Sequence, residues 1–160
     1  MSQAPSVHKP RRSTDEEEAR QVLREGKIGV LSLASPQGEP YGVPLNYVYD
    51  GEENALYCHC FVRGRKREFL AANPRVSFGV AVDVEAAPSR FITHYRSALC
   101  TGIGEVLTDG EEKRRRLRQL CAAQAPGERR TEEVIRRYLP AVSILRIRIT
   151  SISGKRNEDE

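Results

Sequence analysis

The 160-residue chain contains no tryptophan, one methionine, four phenylalanines and six tyrosines. No apolar run approaches the roughly 20 residues that a membrane-spanning helix needs. Its first residues, MSQAPSVHKPRR, lack the apolar core of a signal peptide. These two absences make a soluble cytoplasmic protein the expectation. The four cysteines, Cys58, Cys60, Cys100 and Cys121, form no CxxC pair and no zinc-type spacing. The three histidines, His8, His59 and His94, are isolated from one another, so no protein metal site is expected. Charge of one sign is not in large excess either. A net charge of +4 permits an anionic ligand without demanding a nucleic acid. The basic clusters at 63–67 and 113–118 are not interleaved with aromatic residues, which argues against nucleic acid.

What is present is enough for one domain with a real core and no need of disulfides. Residues 1–13 and 155–160 are polar and charged, and are expected to be flexible tails around a domain at 14–154. Thr14 and Glu17 have the spacing of a capping box at a helix start, with Ala19, Val22 and Leu23 at helical spacing and Gly26 after them. Strands are expected at 27–34, 40–49, 55–61, 75–84, 91–107 and 141–152, with EAAPSR at 85–90 as a loop. Pro44 argues for an edge or bulge within the second strand, and Gly102 and Gly104 permit a bulge in the fifth. Short helices are expected at 65–72, after Asp109 with Glu112 as a capping box, and after Thr131. The helix after Asp109 is expected to bury Leu117, Leu120 and Cys121 and to show residues 113–116 to solvent. Val134, Ile135, Tyr138 and Leu139 share one side of the helix after Thr131. In ILRIRI, Leu145, Ile147 and Ile149 alternate with Arg146 and Arg148. Strands joined by short turns indicate an antiparallel sheet, and this many in a small domain indicate a closed or partly closed barrel.

The stretch YCHCFVRGRKREFLAANPRV carries the chemistry. Cys58-His59-Cys60 is open to a metal, a redox or a purely structural reading. The two cysteines lie two apart on a strand and share one face, where thiols serve as small apolar residues. Gly64-Arg65-Lys66 falls where a helix begins. Cations in a first turn oppose the helix dipole, and a bound phosphate removes the conflict, with arginine as a bidentate fork and lysine as a point charge. A solvated basic turn is the alternative.

Four stretches then suggest a relationship: KIGVLSLASPQGEPYGVPLNYVYD, LYCHCFVRGRKREFLAANPRVSF, YRSALCTGIGEVLTDGEEKRRRLRQL and ISGKR. In this order the chain resembles the flavin-binding split-barrel proteins related to pyridoxamine 5'-phosphate oxidase, in particular the 5-nitroimidazole resistance reductases. The resemblance implies a mainly β fold with flanking helices, a six-stranded antiparallel split barrel. It also implies a homodimer with FMN in clefts between the subunits. Val43, Pro44, Leu45, Asn46 and Tyr47 match the strand whose backbone borders the flavin ring. His59 matches a position near the ring, Gly64, Arg65 and Lys66 match the phosphate turn, and Ser97 matches a cofactor-site strand position. Cys60 stands where the family has a small residue, and Arg63 adds a charge before the glycine. No residues resemble the vitamin-substrate clamp of the true oxidases.

The function so implied is an FMN-dependent oxidoreductase. It would take electrons from a reduced nicotinamide and pass them to a small planar acceptor such as a nitroaromatic, with His59 as a possible proton donor. Two alternatives stand beside it. One is a haem-binding or haem-handling split barrel with His59, or less favourably Cys60 or His94, as axial ligand. The other is a non-catalytic flavin- or anion-binding module.

Overall fold

The structure is a computed structural model and describes residues 12–158. Residues 1–11 of the expected N-terminal tail, and residues 159–160, lie outside the described residues. Asp15 accepts a hydrogen bond from the Glu18 amide at 2.8 Å and caps α1, Glu16–Glu25. This is one residue past the expected Thr14 cap, because Thr14 is committed elsewhere. Ser13–Thr14 forms β1, antiparallel to the chain's far end, with Ser13 opposite Lys155 and Thr14 opposite Gly154. Glu16, Glu17 and Glu18 sit at the positive end of the α1 dipole, and Ala19, Val22 and Leu23 bury its apolar face.

The remaining strands are β2 (Ile28–Ala34), β3 (Pro40–Asn46), β4 (Val48–Asp50), β5 (Ala55–Phe61), β6 (Arg75–Ala87), β7 (Ile92–Leu107) and β8 (Val142–Asn157). Their order is β3-β2-β6-β7-β8-β5-β4, and every neighbouring pair is antiparallel. β3 and β4 stand at opposite ends of this order, yet only Tyr47 separates them in the chain. The sheet curls until its two ends are joined by one residue rather than by a hydrogen-bond ladder. With β3 and β4 counted as one strand bent at Tyr47, and the two-residue β1 set aside, the wall has six strands and is a split barrel. Tyr47 pins the bend: its amide donates to the Lys27 carbonyl at 3.2 Å and its hydroxyl to that of Leu23 at 2.9 Å. Pro44 is tolerated because β3 has a neighbour on one side only.

The barrel interior is filled by the even positions of β5 (Leu56, Cys58, Cys60), by Leu145, Ile147 and Ile149 of β8, and by Phe78, Leu31 and the apolar face of α1. The odd positions Ala55 and Tyr57 face the other way. They meet Val142, Ile144, Leu117, Leu120 and Ile135 in a second core under α3 (Gly110–Gln124) and α4 (Thr131–Tyr138). A bulge falls between Thr101 and Gly102, where a Cβ on Gly102 would stand 2.4 Å from the Arg148 carbonyl oxygen.

Several sequence expectations change. Strand β6 continues through Glu85, Ala86 and Ala87, which pair with His94, Thr93 and Ile92, so the first half of the expected loop is hairpin and Pro88–Arg90 turns as a 3-10 helix. Strand β8 runs through Lys155, Arg156 and Asn157, five residues past the strand end expected at Ile152, because β7 offers Ser97, Arg96 and Tyr95 as partners. Asp109 caps α3 as expected, accepting from the Glu112 amide at 2.9 Å. Thr131 does not cap α4; its hydroxyl donates back to the Glu128 carbonyl at 2.8 Å. Of the side chains expected on one side of α4, Val134 and Tyr138 are exposed and Ile135 is buried. Arg116 was expected in solvent and is 0% exposed, within a network of acids and a tyrosine. Among the described residues no helix is long and apolar enough to cross a membrane.

Candidate functional site

The site begins where β5 ends. Period-2 alternation sends Cys58 and Cys60 inward and His59 and Phe61 outward. The chain then turns through Val62, Arg63 and Gly64 into α2, Arg65–Ala72. Gly64 has φ of +130°, a conformation that side-chain-bearing residues rarely adopt, and it occupies the N-cap position. No side chain among the described residues caps the helix. The Arg67 and Glu68 amides reach the Gly64 carbonyl at 3.0 and 3.4 Å, and the first-turn donors of Arg65 and Lys66 are left for an outside acceptor. Asn73 and Pro74 stop the helix, and the Asn73 amide group donates to the Ala34 carbonyl at 3.0 Å, tying α2 to β2.

Around this turn Tyr41, Cys60, Phe61, Arg63, Gly64, Arg65, Lys66 and Arg67 line a cavity of about 50 Å³. The Arg65 guanidinium is held in place from three sides. It lies 4.9 Å from the Tyr41 ring centre and 5.3 Å from that of Phe69, and pairs with Glu39 at 2.5 Å. Tyr41 and Phe69 pack on each other with centres 5.3 Å apart. Arg67 donates to the Val62 carbonyl. Neither Arg63 nor Lys66 pairs with a carboxylate among the described residues.

His59, outward on β5, has its pKa pushed below the usual histidine value, first by the protein around it and then by the Lys66 ammonium. It is therefore mainly neutral at pH 7. Cys60 points inward and burial pushes its pKa up, against the pull of Lys66, Arg67 and Lys113. Burial also pushes Cys58 up, and Cys100 to about 12. These are inert thiols, as the small-apolar reading expects. His59 and Cys60 lie on opposite faces of one strand and cannot share a ligand, while His94 is on β7 opposite Glu85. No group of three His, Cys, Asp or Glu side chains among the described residues could hold a metal ion.

The other expected residues fall along β3 and beyond it. Val43 and Leu45 point inward and pack against the barrel core, so only their backbone is open to a ligand. Pro44 and Asn46 point outward, opposite Val30 and Ile28 of β2. Tyr47 is a core residue, 1% exposed. Ser97 donates to the Lys155 carbonyl at 3.2 Å and lines a shallow outer hollow with Ile28, Val30 and Leu99. Gly64, Arg65 and Lys66, expected as the phosphate turn, thus gather with Cys60 in one cavity, and Ser97 lies at another. The free edge of β3 runs from Tyr41, at the cavity, to Asn46, whose partner Ile28 lines the hollow. Five residue steps at strand rise make that edge about 17 Å long.

The hollow belongs to a sheet face that no helix among the described residues buries. One outward row crosses five strands as Pro44, Val30, Gly79, Leu99 and Ser153; the next is Gly42, Ser32, Ser77, Thr101 and Ser151. Neither row carries a charge, and Ile28, Val30 and Leu99 remain 59%, 46% and 40% exposed.

The sequence model of pyridoxamine 5'-phosphate oxidase matches residues 15–156. The chain belongs to that family. No curated protein shows significant sequence similarity to it. Among solved structures, a candidate 5-nitroimidazole antibiotic resistance protein of Bacteroides thetaiotaomicron is 21% identical with a TM-score of 0.73, over 91% of this chain and 90% of that one. An FAD-binding protein of Mesorhizobium loti is 28% identical with a TM-score of 0.67, over 92% and 98%. An FAD- and haem-binding protein of Mycobacterium smegmatis is 25% identical with a TM-score of 0.73, over 92% and 74%. This member of the pyridoxamine 5'-phosphate oxidase family adds site residues that sequence reasoning missed: Glu39, Tyr41 and Phe69. Of these only Phe69 had a local signal, four residues after Arg65 on one helix face. Tyr41 and Glu39 reach Arg65 because β3 begins beside α2, a juxtaposition that spacing along the chain does not show.

Proposed function

We propose that the chain is a flavin-dependent oxidoreductase in which the FMN moiety lies along the free edge of β3, its phosphate in the basic turn at 63–67. The observation that carries this reading is the pairing of an anion-seeking cavity with an unpaired strand edge of about 17 Å leading to an apolar hollow. That arrangement suits an elongated ligand with a charged head and a planar tail. The donor set fits. Arg65 offers a fork already oriented by Tyr41 and Phe69, Lys66 has no competing acid among the described residues, and two first-turn amides are free. The M. loti relative binds FAD, and the M. smegmatis relative binds FAD and haem, which supports a flavin at this site.

When bound, the flavin supplies hydride acceptance and onward electron transfer. The chain's residues bind and orient it. β3 presents N–H and C=O groups at its open edge, and Pro44 leaves a gap in donors there. His59, neutral near pH 7, stands outward at the end of β5 and can move a proton to or from an acceptor on that side. The donor we propose is a reduced nicotinamide. The acceptor is a small planar molecule such as a nitroaromatic, which follows from the likeness of the motifs to the 5-nitroimidazole reductase branch.

The uncharged, uncovered sheet face is proposed as the surface of a homodimer, the two copies meeting face to face about a two-fold axis. This would place the hollow, and with it the ring end of the ligand, between subunits. Leu99→Asp is expected to yield a monomer by light scattering; a variant that stays a dimer would move the interface elsewhere.

The test of the cofactor is the visible spectrum of the purified protein, with the supernatant analysed after denaturation. Paired flavin bands and a released flavin support the reading; a protein that is colourless and refuses added flavin ends it. Haem is the second reading, favoured by the outward, neutral His59 and by the M. smegmatis relative. A sharp Soret band lost in His59→Ala would establish it.

A further inference from the structure

Past the rim of the barrel, β6 and β7 continue as a two-stranded arm. Gly79 is the last β6 residue paired with β2, opposite Val30, while the β6–β7 ladder runs on to Ala87 and Ile92. Arg96 fastens the base of the arm, pairing with Glu25 of α1 and, at 2.6 Å, with Asp83. The arm has two unlike faces. β7 alternates without a bulge from Ile92 to Thr101, and residues paired across the ladder share a face. Tyr95, Thr93 and Ala86 therefore continue the outward, uncharged face of Leu99 and Ser97, and Arg96, His94 and Glu85 lie on the other side. Phe91, at the tip, is 96% exposed.

Toward the other end of the same strands the outward face sinks into a hollow of about 550 Å³. Ser77, Thr101 and Thr150 line it, with Arg75 and Ile103. Arg75 pairs with no carboxylate among the described residues. Tyr95 and Ile103 stand four residues to either side of Leu99 on β7. A knob and a hollow at equal distances from one row make this face self-complementary. The two-fold axis that matches them lies in the plane of the face and crosses the strands through the Gly79–Leu99 row. An axis along the strands sets knob against knob and hollow against hollow, and leaves voids where a stable interface is close-packed.

Area points the same way. From Ser97 to Thr101, across five strands, the face measures roughly 13 by 19 Å, or about 250 Å². A stable interface takes about 800 Å² from each partner. Running the contact from Tyr95 to Ile103 about doubles the footprint, and the arm beyond Tyr95 adds to it.

We propose that each arm docks in the hollow of a second copy of this chain, with Tyr95 seated against the partner's Arg75 and the partner's Ile103. The guanidinium meets the tyrosine ring, and the isoleucine packs on its apolar edge. The proposal rests on the face-to-face homodimer reading above and adds to it the arm, the hollow and the direction of the axis.

The experiment treats the full chain with a short bis-maleimide in a Cys121→Ser background, the other three cysteines being buried. Tyr95→Cys combined with Ile103→Cys is expected to give a covalent dimer on a denaturing gel, and either substitution alone to give none. Within one chain the two positions are eight residues apart on one strand, roughly 26 Å, so a short linker cannot join them inside a monomer. A covalent dimer from either single variant puts like against like and overturns the axis. A double variant that is a dimer by light scattering yet gives no covalent dimer overturns the arm docking and leaves the homodimer reading standing. A wild type that is a monomer overturns both. Tyr95 and Ile103 belong to neither core, so the substitutions leave the packing that holds the fold untouched.

Discussion

Two arginine-rich clusters in this molecule look alike in the sequence and behave oppositely in the fold. Arg116 on α3 is fully buried. Its guanidinium donates to Asp50 at 2.8 Å, Glu53 at 2.5 Å, Glu112 at 2.8 Å and the Tyr57 hydroxyl at 2.9 Å, and it lies 3.6 Å from the Tyr57 ring centre. Tyr57 in turn donates to Glu53. Around residues 63–67 the cations are exposed or half-buried, and among the described residues one acid serves the group and two helix amides have no acceptor. The first cluster is closed and fastens α3 to the β4–β5 turn. The second is open, and the missing counter-charge is the ground on which a ligand is proposed there. Completeness of pairing, more than charge density, separates a structural cluster from a binding one.

The sharpest way to break this comparison is to open the closed cluster. Arg116→Ala leaves Asp50, Glu53 and Glu112 facing one another with no cation at the centre. The expected loss is about 3–5 kcal/mol, or on the order of 10 °C in Tm. A thermal melt shifted by no more than a degree or two would show that water replaces the guanidinium without cost. The open cluster should respond the other way. Arg65→Ala with Lys66→Ala is expected to weaken flavin binding by roughly 100-fold or more while the melting temperature of the cofactor-free protein hardly moves. Full flavin occupancy in that double variant would move the phosphate elsewhere.

Acid should also tell the clusters apart. The arginines beside them hold Glu112 at about 2 and keep Asp50 below its usual range; Glu53 is lowered first by the Tyr57 hydroxyl and then by Arg116. Carboxylates whose pKa is lower in the folded state stabilise the fold above their unfolded values, near 4. That contribution is lost as pH falls from there toward 2. The cofactor-free wild type should therefore lose stability over that window, and Arg116→Ala should lose less, keeping the share that Arg115 supplies at Glu112 and Tyr57 at Glu53; parallel melting-temperature curves for the two would contradict a role for Arg116. The smallest effect expected is at Glu39, the one acid of the open cluster. Glu39→Gln frees Arg65 from an exposed pair worth under about 1 kcal/mol, so flavin should bind a few-fold tighter. Weaker binding would mean that Glu39 positions Arg65 more than it competes for it.

How much of this was legible before the fold was known varied with how local the cause was. The spans Ala55–Phe61 and Arg65–Ala72 matched their expected limits. There the alternation, the glycine and the Asn73-Pro74 stop all act within a few residues. Strand β6 was expected to end early because EAAPSR is polar and looks like a loop; a strand that projects beyond the barrel has no apolar face to announce it. The bend at Tyr47 was hidden for the opposite reason, since the strand stays apolar through it and only the closing of the sheet decides where it turns. Arg116 left one local trace, Glu112 four residues before it. Its decisive partners, Asp50, Glu53 and Tyr57, come from another part of the chain. In the candidate site, the basic turn was readable because the cations conflict with their own helix. Glu39 and Tyr41 were not, because they reach Arg65 across the barrel's seam.

The packing of Tyr41 against Arg65, in a chain without tryptophan, has an optical consequence. Six tyrosines carry the ultraviolet emission of this protein. Two of them, Tyr47 and Tyr57, are buried with their hydroxyls engaged, and one, Tyr41, forms part of the cavity wall with a guanidinium over its ring. An anion drawing Arg65 away from that ring would change the surroundings of a natural fluorophore at the proposed binding site. Occupancy of the turn can then be followed by tyrosine emission, even for colourless ligands such as inorganic phosphate.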